Sequence, residues 1–270
     1  MNEKSGVIYR TDNYKQFKRL DGNRAIRAKS VEKIKKSIER VGYVMSPICV
    51  NEKYEIIDGQ YRSHALEELG KPIDYYVVNG AGINECRSMN IDQGNWTIRD
   101  FIASYTELGE MPYVYLSQLL KAYKCLGLAP VVYAATGIQR ADGIIKTGEL
   151  KLTTKDYENA VKILDLLMKL HPIIQKQDGR RESYYTALIY CFRHPEIDNE
   201  TLINKMNLRQ YDLVPPANVP QALKSIESAY NYRSRNKVYI EADYRRDQDM
   251  RETESMKVTK RKQRAKKEAK

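Results

Sequence analysis

Apolar and polar positions alternate in two distinct ways along this chain. Near the start, short apolar runs are separated by turn residues, and the pattern is one of strands. Residues 54–57 (Tyr-Glu-Ile-Ile) run into Asp58-Gly59, after which Ala65, Leu66 and Leu69 recur at helical spacing up to Gly70. That order predicts a strand, a break at a pair that favours positive φ, and a helix with a glycine stop. Upstream, residues 30–42 carry an apolar stripe at Val31, Ile34, Ile38 and Val41. They predict an amphipathic helix with Ser30 as N-cap and Gly42 as its left-handed end. A second strand is expected at 46–50 and a third at 74–78, closed by Asn79-Gly80.

Beyond residue 80 the period changes to that of helices and stays there. Helices are expected at 81–91, at 98–108 behind a Thr97/Asp100 capping box with Trp96 as a core anchor, and at 113–126 and 129–135. A turn at Thr136-Gly137 then leads to a helix at 139–147. Thr153 and Asp156 cap a long helix whose apolar side is Tyr157, Val161, Leu164, Leu167, Met168 and Leu170, and which His171-Pro172 should end. Further helices are predicted at 184–192, at 199–206 behind Asp198, and at 219–232. These periods divide the chain into an α/β domain (1–80), a helical linker with a helix-turn-helix (81–152), a C-terminal helical domain (153–240) and a tail (241–270).

The break at Asp58-Gly59 is where chemistry concentrates. A strand that hands over to a helix points free N–H groups and the positive end of the helix dipole at whatever lies above it, and anions bind there. Arg62, in the first turn, adds a planar cation suited to phosphate. A surface arginine paired with Asp58 or Glu67 is the plainer alternative.

Read together, residues 30–47 and 57–70 resemble the N-terminal domain of the ParB/sulfiredoxin superfamily: helix, glycine, Pro47-led strand, strand, Gly-x-x-Arg, helix ending in Leu69-Gly70, strand. The resemblance covers residues 23–78 and continues loosely to 105. It implies an α+β fold class, with a small mixed-sheet N-terminal domain followed by an all-helical region with a helix-turn-helix. The family includes partition proteins that bind CTP, DNA-binding proteins of phages and mobile elements, nucleases, a free-serine kinase and the sulfiredoxins. Sulfiredoxins carry Gly-Cys-His-Arg at this turn. Gln60 stands at the cysteine position here, so that chemistry is excluded.

Partition proteins resemble Gly-Glu-Arg-Arg-x-Arg-Ala. Aligned on Gly59, this gives Gln60 for the acid, Tyr61 for the first arginine, Arg62 retained and His64 for the last arginine. A further family motif similar to Glu-Asn-x-x-Arg falls at residues 89–93, where only Asn90 matches. The resemblance therefore implies a pocket for CTP or another nucleoside triphosphate with Mg²⁺, held by Gly59, Gln60, Tyr61, Arg62, His64 and Asn90. Both family acids are missing, so turnover is not expected. Asp58 is the candidate catalytic residue under the alternative in which this scaffold is an enzyme, either a nuclease or a nucleotide-dependent phosphotransferase.

Composition changes this picture in one respect. The 270-residue chain has 21 Tyr against three Phe and one Trp, so tyrosine carries most of the aromatic packing. Cys49, Cys86, Cys125 and Cys191 are scattered, as are the three histidines, and they predict buried free thiols and no metal site. With no membrane-length apolar run and no apolar leader, a cytoplasmic protein with no membrane partner is expected.

The net charge of +11 is uneven, because residues 257–270 hold eight Lys/Arg and one acid. Lys260, Arg261, Lys262 and Arg264 lie at the centre of this stretch, which predicts a disordered tail that condenses onto nucleic acid. In the expected helix-turn-helix, Gln139 and Arg140 would read base edges while Lys146 meets phosphate. DNA is thus the expected partner, and a homodimer is plausible because helix-turn-helix sites are commonly two-fold.

Overall fold

The computed structural model describes residues 6–93, 96–176 and 181–250. By contact the chain divides into two units, residues 1–117 with 142–151, and residues 118–141 with 152–270. The expected linker 81–152 is thereby shared between the two units.

The first unit is built on a five-stranded mixed sheet in the order β1-β5-β3-β4-β2. Its strands are β1 (Tyr9–Thr11), β2 (Lys18–Arg19), β3 (Ile48–Val50), β4 (Glu55–Asp58) and β5 (Ile73–Val77). β3 runs parallel to β5 and antiparallel to β4, while β1 pairs antiparallel with β5 and β2 parallel with β4. Ile48, Cys49 and Val50 are all buried, as a central strand covered on both faces requires. Helices α1 (Ala28–Val41) and α2 (Gln60–Glu68) pack together beside this sheet. Ile38, Leu66, Ile48, Val50, Ile56, Ile73 and Tyr75 form their shared core.

Several expectations shift in detail. α1 begins at Ala28, because the N–H groups of Ser30 and Val31 already bond the carbonyl of Arg27, so Ser30 lies inside the helix and is not its cap. Val41 is 63% exposed, since the core formed by this helix ends at Ile38. Positive φ falls on Gly59 alone of the Asp58-Gly59 pair, and Asp58 completes β4.

After β5 come α3 (Ile83–Gln93), α4 (Ile98–Glu107) and α5 (Met111–Ala122), the last of which crosses the division between units at Ser117. The capping box on α4 is present with both halves formed, Thr97 accepting from the Asp100 N–H and Asp100 accepting from the Thr97 N–H. Trp96 is buried with its ring centroid 5.1 Å from that of Phe101, the core role assigned to it.

The second unit contains α6 (Leu128–Thr136), α8 (Thr154–Ile174), α9 (Arg181–Arg193), α10 (Asn199–Leu208) and α11 (Val219–Asn231). α7 (Asp142–Thr147) belongs to the first. Leu164, Leu167, Tyr184, Leu188, Leu202, Met206, Leu223 and Ile226 are fully buried within the second unit. α8 passes through Pro172 instead of stopping there. Ile173 and Ile174 are buried beyond it, and that burial offsets the roughly 3 kcal/mol a proline costs inside a helix.

A helical run at 240–250 was expected to be the start of a disordered tail. It is held instead by fully buried Ile240, by the Tyr190 hydroxyl donating to Asp247 at 2.8 Å, and by His194 Nε2 at 3.2 Å from Asp243. No helix among the described residues is long and apolar enough to cross a membrane. Of the four cysteines, Cys49, Cys86 and Cys191 are buried free thiols as expected, and Cys125 is exposed.

Candidate anion-binding site

β4 delivers the chain to Gly59, whose φ of 89° and ψ of 17° make the left-handed corner from which α2 starts. Only glycine fits there, because a Cβ would lie 2.7 Å from Ile48 Cγ2. No side chain caps α2. Its first internal bond runs from the Ser63 N–H to the Gly59 carbonyl at 2.9 Å, which leaves the N–H groups of Gln60, Tyr61 and Arg62 without an intrahelical acceptor. α4, α8, α10 and α11 are capped by Thr, Asp or Asn, whereas α1 and α6 share with α2 the lack of a side-chain cap.

Above this corner lies a cavity of about 260 Å³. Asn23, Arg24, Asp58, Gly59, Gln60, Tyr61, Arg62, Asn90 and Trp96 line it, with Ile34 and Ile57 beneath. Thus five of the six residues expected to hold a nucleotide converge. His64 is the exception: it is exposed and does not line the cavity, because it sits two residues beyond Arg62, on another side of α2.

The polar side chains here are braced. The Gln60 amide donates to the Arg24 carbonyl at 3.0 Å, the Asn90 amide to the Cys86 carbonyl at 2.7 Å, and the Asn23 amide to the Ile56 carbonyl at 3.2 Å. Arg24 stacks over the Tyr61 ring with its guanidinium carbon 4.5 Å from the centroid. Arg62 pairs with neither Asp58 nor Glu67. Its Nη1 donates to the carbonyls of Ser46 and Pro47, at 2.8 and 2.9 Å, so one end of the guanidinium anchors the segment entering β3.

Arg24 and Asn23 escaped the sequence reading altogether. They lie in an irregular segment between Leu20 and Ile26 with no periodicity to mark them. Their one local mark is an Asn-Arg pair just after the Asp21-Gly22 turn.

Asp58 lines the same cavity. Burial, and then Asp58, push the Cys86 thiol up to about 12, while Arg24 and Arg87 pull it the other way. Burial also raises Cys49, with Asp58 contributing. Both shifts disfavour the thiolate, and neither cysteine lines the cavity. No group of three or more potential metal ligands occurs among the described residues. Among the described residues, Asp58 is the carboxylate of the lining that a Mg²⁺ ion here would meet, and phosphate oxygens would have to supply much of its shell.

Of the seven residues expected to touch DNA, the three of the expected helix-turn-helix are not brought together as a helix face. Gln139 and Arg140 precede α7 in a turn, since the helix starts at Asp142 and not at 139. The Gln139 amide is engaged by the Tyr244 hydroxyl, at 3.0 Å. Arg140 is exposed, and Lys146 is half-buried with its carbonyl accepting from the Tyr105 hydroxyl at 3.3 Å. α6 and α7 also fall in different units. Lys260, Arg261, Lys262 and Arg264 lie outside the described residues. No family model, curated protein or solved structure matches the chain.

Proposed function

We propose that this is a ParB-like DNA-binding protein whose α/β unit holds a phosphate-bearing ligand, a nucleoside triphosphate such as CTP with Mg²⁺, at the start of α2. The observation that carries this is the uncapped N-terminus of α2, opening into a cavity that also presents Arg24 and Arg62. Three free N–H groups, a helix dipole and two cations stabilise negative charge. The cavity of about 260 Å³ is at the small end for a ligand pocket, so it fits the phosphate end of a nucleotide better than the whole molecule. The uneven distribution of charge, with eight cations in residues 257–270, supports DNA as the larger partner.

Binding without turnover follows from the same lining. Phosphoryl transfer and phosphodiester cleavage need a positioned base or a well-held metal. Asp58 is the single carboxylate of the described lining, and it repels the phosphates it would have to serve.

Titration calorimetry with CTP, ATP and GTP in the presence of Mg²⁺ tests this directly. One of them is expected to bind at one per chain with no phosphate released, and Asp58→Asn is expected to bind it several-fold more tightly without Mg²⁺. Absence of heat from all three removes the ligand. Continuous phosphate release that Asp58→Asn abolishes would replace the binding protein with an enzyme.

A further inference from the structure

α8 carries Lys155, Lys162 and Lys169 at intervals of seven, and Lys176 repeats the interval in the turn just after the helix. All four are exposed, on the side of α8 opposite the buried Ala160, Leu164 and Leu167. Seven residues are nearly two helical turns, so the lysines form one row that drifts by about 20° per interval. The row is about 32 Å long at 1.5 Å per residue.

A second basic segment borders it. The Tyr123 hydroxyl donates to Asp165 at 2.6 Å and Cys125 Sγ lies 3.6 Å from Met168 Sδ, so residues 123–125 run beside the middle of α8. That strand of chain brings exposed Lys121 and Lys124 to the flank of the row. None of the six lysines has a carboxylate within 4 Å among the described residues, although ten ion pairs occur elsewhere in them. Among the described residues of α8, two acids share this side. Glu158 is exposed, and Asp165 is already engaged by Tyr123.

Resting on the DNA-binding proposal above, we infer that this face of α8 is where the helical unit tracks the phosphate backbone of duplex DNA. Unpaired lysines on long flexible stems neutralise phosphates without selecting bases, which fits a positioning surface. The row spans roughly nine phosphate intervals of one strand at 3.4 Å each. Its exposed positions are charged or polar, and the apolar residues on the same stripe, Leu166 and Ile173, are half-buried and buried and so not free to insert into a lipid surface.

The test uses the full chain, a 20-base-pair duplex of arbitrary sequence, and fluorescence anisotropy over a series of salt concentrations. Replacing Lys155, Lys162, Lys169 and Lys176 together by Gln should reduce the salt slope by about 2 to 4, since each phosphate contact contributes about 0.9. A control quadruple, Lys15, Lys33, Lys53 and Lys71 to Gln, removes the same charge from the α/β unit and should change the slope by less than about 1. Exposed Lys→Gln changes keep helix propensity, and far-ultraviolet circular dichroism should be unchanged in both. Equal effects of the two quadruples overturn the inference while leaving DNA binding intact. No DNA binding by the parent chain overturns both, as does binding only to vesicles of anionic phospholipid.

Discussion

The two units handle polar groups in opposite ways. Of the ten polar or charged residues buried among the described ones, nine (Asn23, Asn51, Gln60, Ser63, Asp74, Arg87, Asn90, Asp100 and Ser104) belong to the α/β unit and one, His171, to the helical unit. Each buried polar group costs free energy unless it is bonded, so a fold that accumulates them in one half holds them in place with specific partners. Arg87 illustrates this, donating twice to Ser104 Oγ and lying 3.5 Å from the centre of the Tyr105 ring. The helical unit keeps its interior apolar and its charges outside. One half fixes polar groups inward, and the other presents its charge outward, the division on which the proposed ligand and DNA roles rest.

The change that should damage this contrast most is Gly59→Ala. The new side chain would have to hold a left-handed backbone and displace Ile48, whose Cβ lies 3.1 Å from the added carbon. Strain and overpacking together should destabilise the α/β unit by about 2–4 kcal/mol, read as a lowered urea midpoint. Because Ile48 belongs to the shared core of α1, α2 and the sheet, the loss should appear in those elements, and exchange protection in α8 and α9 should hold. Equal loss in both would mean that the units do not unfold separately.

Acid provides the next test. Asp74 is 2% exposed and accepts from Arg10 Nε at 2.7 Å and Nη2 at 3.2 Å. The hydrogen bond from Arg10 holds its carboxyl below the usual value, against the opposing effect of burial, with further help from Tyr43. A depressed folded pKa means stability that is fully present above the unfolded value of about 3.9 and is lost as pH falls through the folded one. Asp74→Asn should therefore cost about 1–3 kcal/mol at neutral pH. The gap between parent and variant should stay constant above about pH 5 and close below it. In the parent, amide exchange should rise first in β1 and β5. If the helical unit opened first in acid, the uneven placement of buried polar groups would not control acid stability.

What could be read in advance follows the same divide. Caps and core positions were legible because they depend on neighbours in sequence: Thr97 with Asp100, Thr153 with Asp156, Asp198 before α10, and Gly59 at its corner. The partners of Arg62 were not, since Ser46 and Pro47 approach it from residues 16 and 15 positions away. Asn23 and Arg24 reach the cavity only because the chain around residue 24 lies against the start of α2, a contact with no local signature. The start of α7 was misplaced because Gln139 favours helix as a residue type, yet its amide is bonded to Tyr244, 105 positions along the chain. Long-range hydrogen bonds outweighed local propensity at each of these points.

The smallest expected effect bears most directly on the bare start of α2. Thr153 accepts from the Asp156 N–H at 3.2 Å, and Asp156 accepts from the Thr153 N–H at 2.9 Å and from its hydroxyl at 2.7 Å. Thr153→Ala should cost about 1 kcal/mol and raise exchange at the first amides of α8. It adds a further helix start with orphan N–H groups to those of α1, α2 and α6, but without a cavity, Arg24 or Arg62 beside it. Adding inorganic phosphate to this variant should then slow exchange at the amides of residues 60–62 and leave those of 154–156 unprotected. Protection of both would mean that any uncapped helix in this chain collects the anion. In that event the corner at Gly59 would owe its ligand to the dipole alone and not to the residues gathered around it.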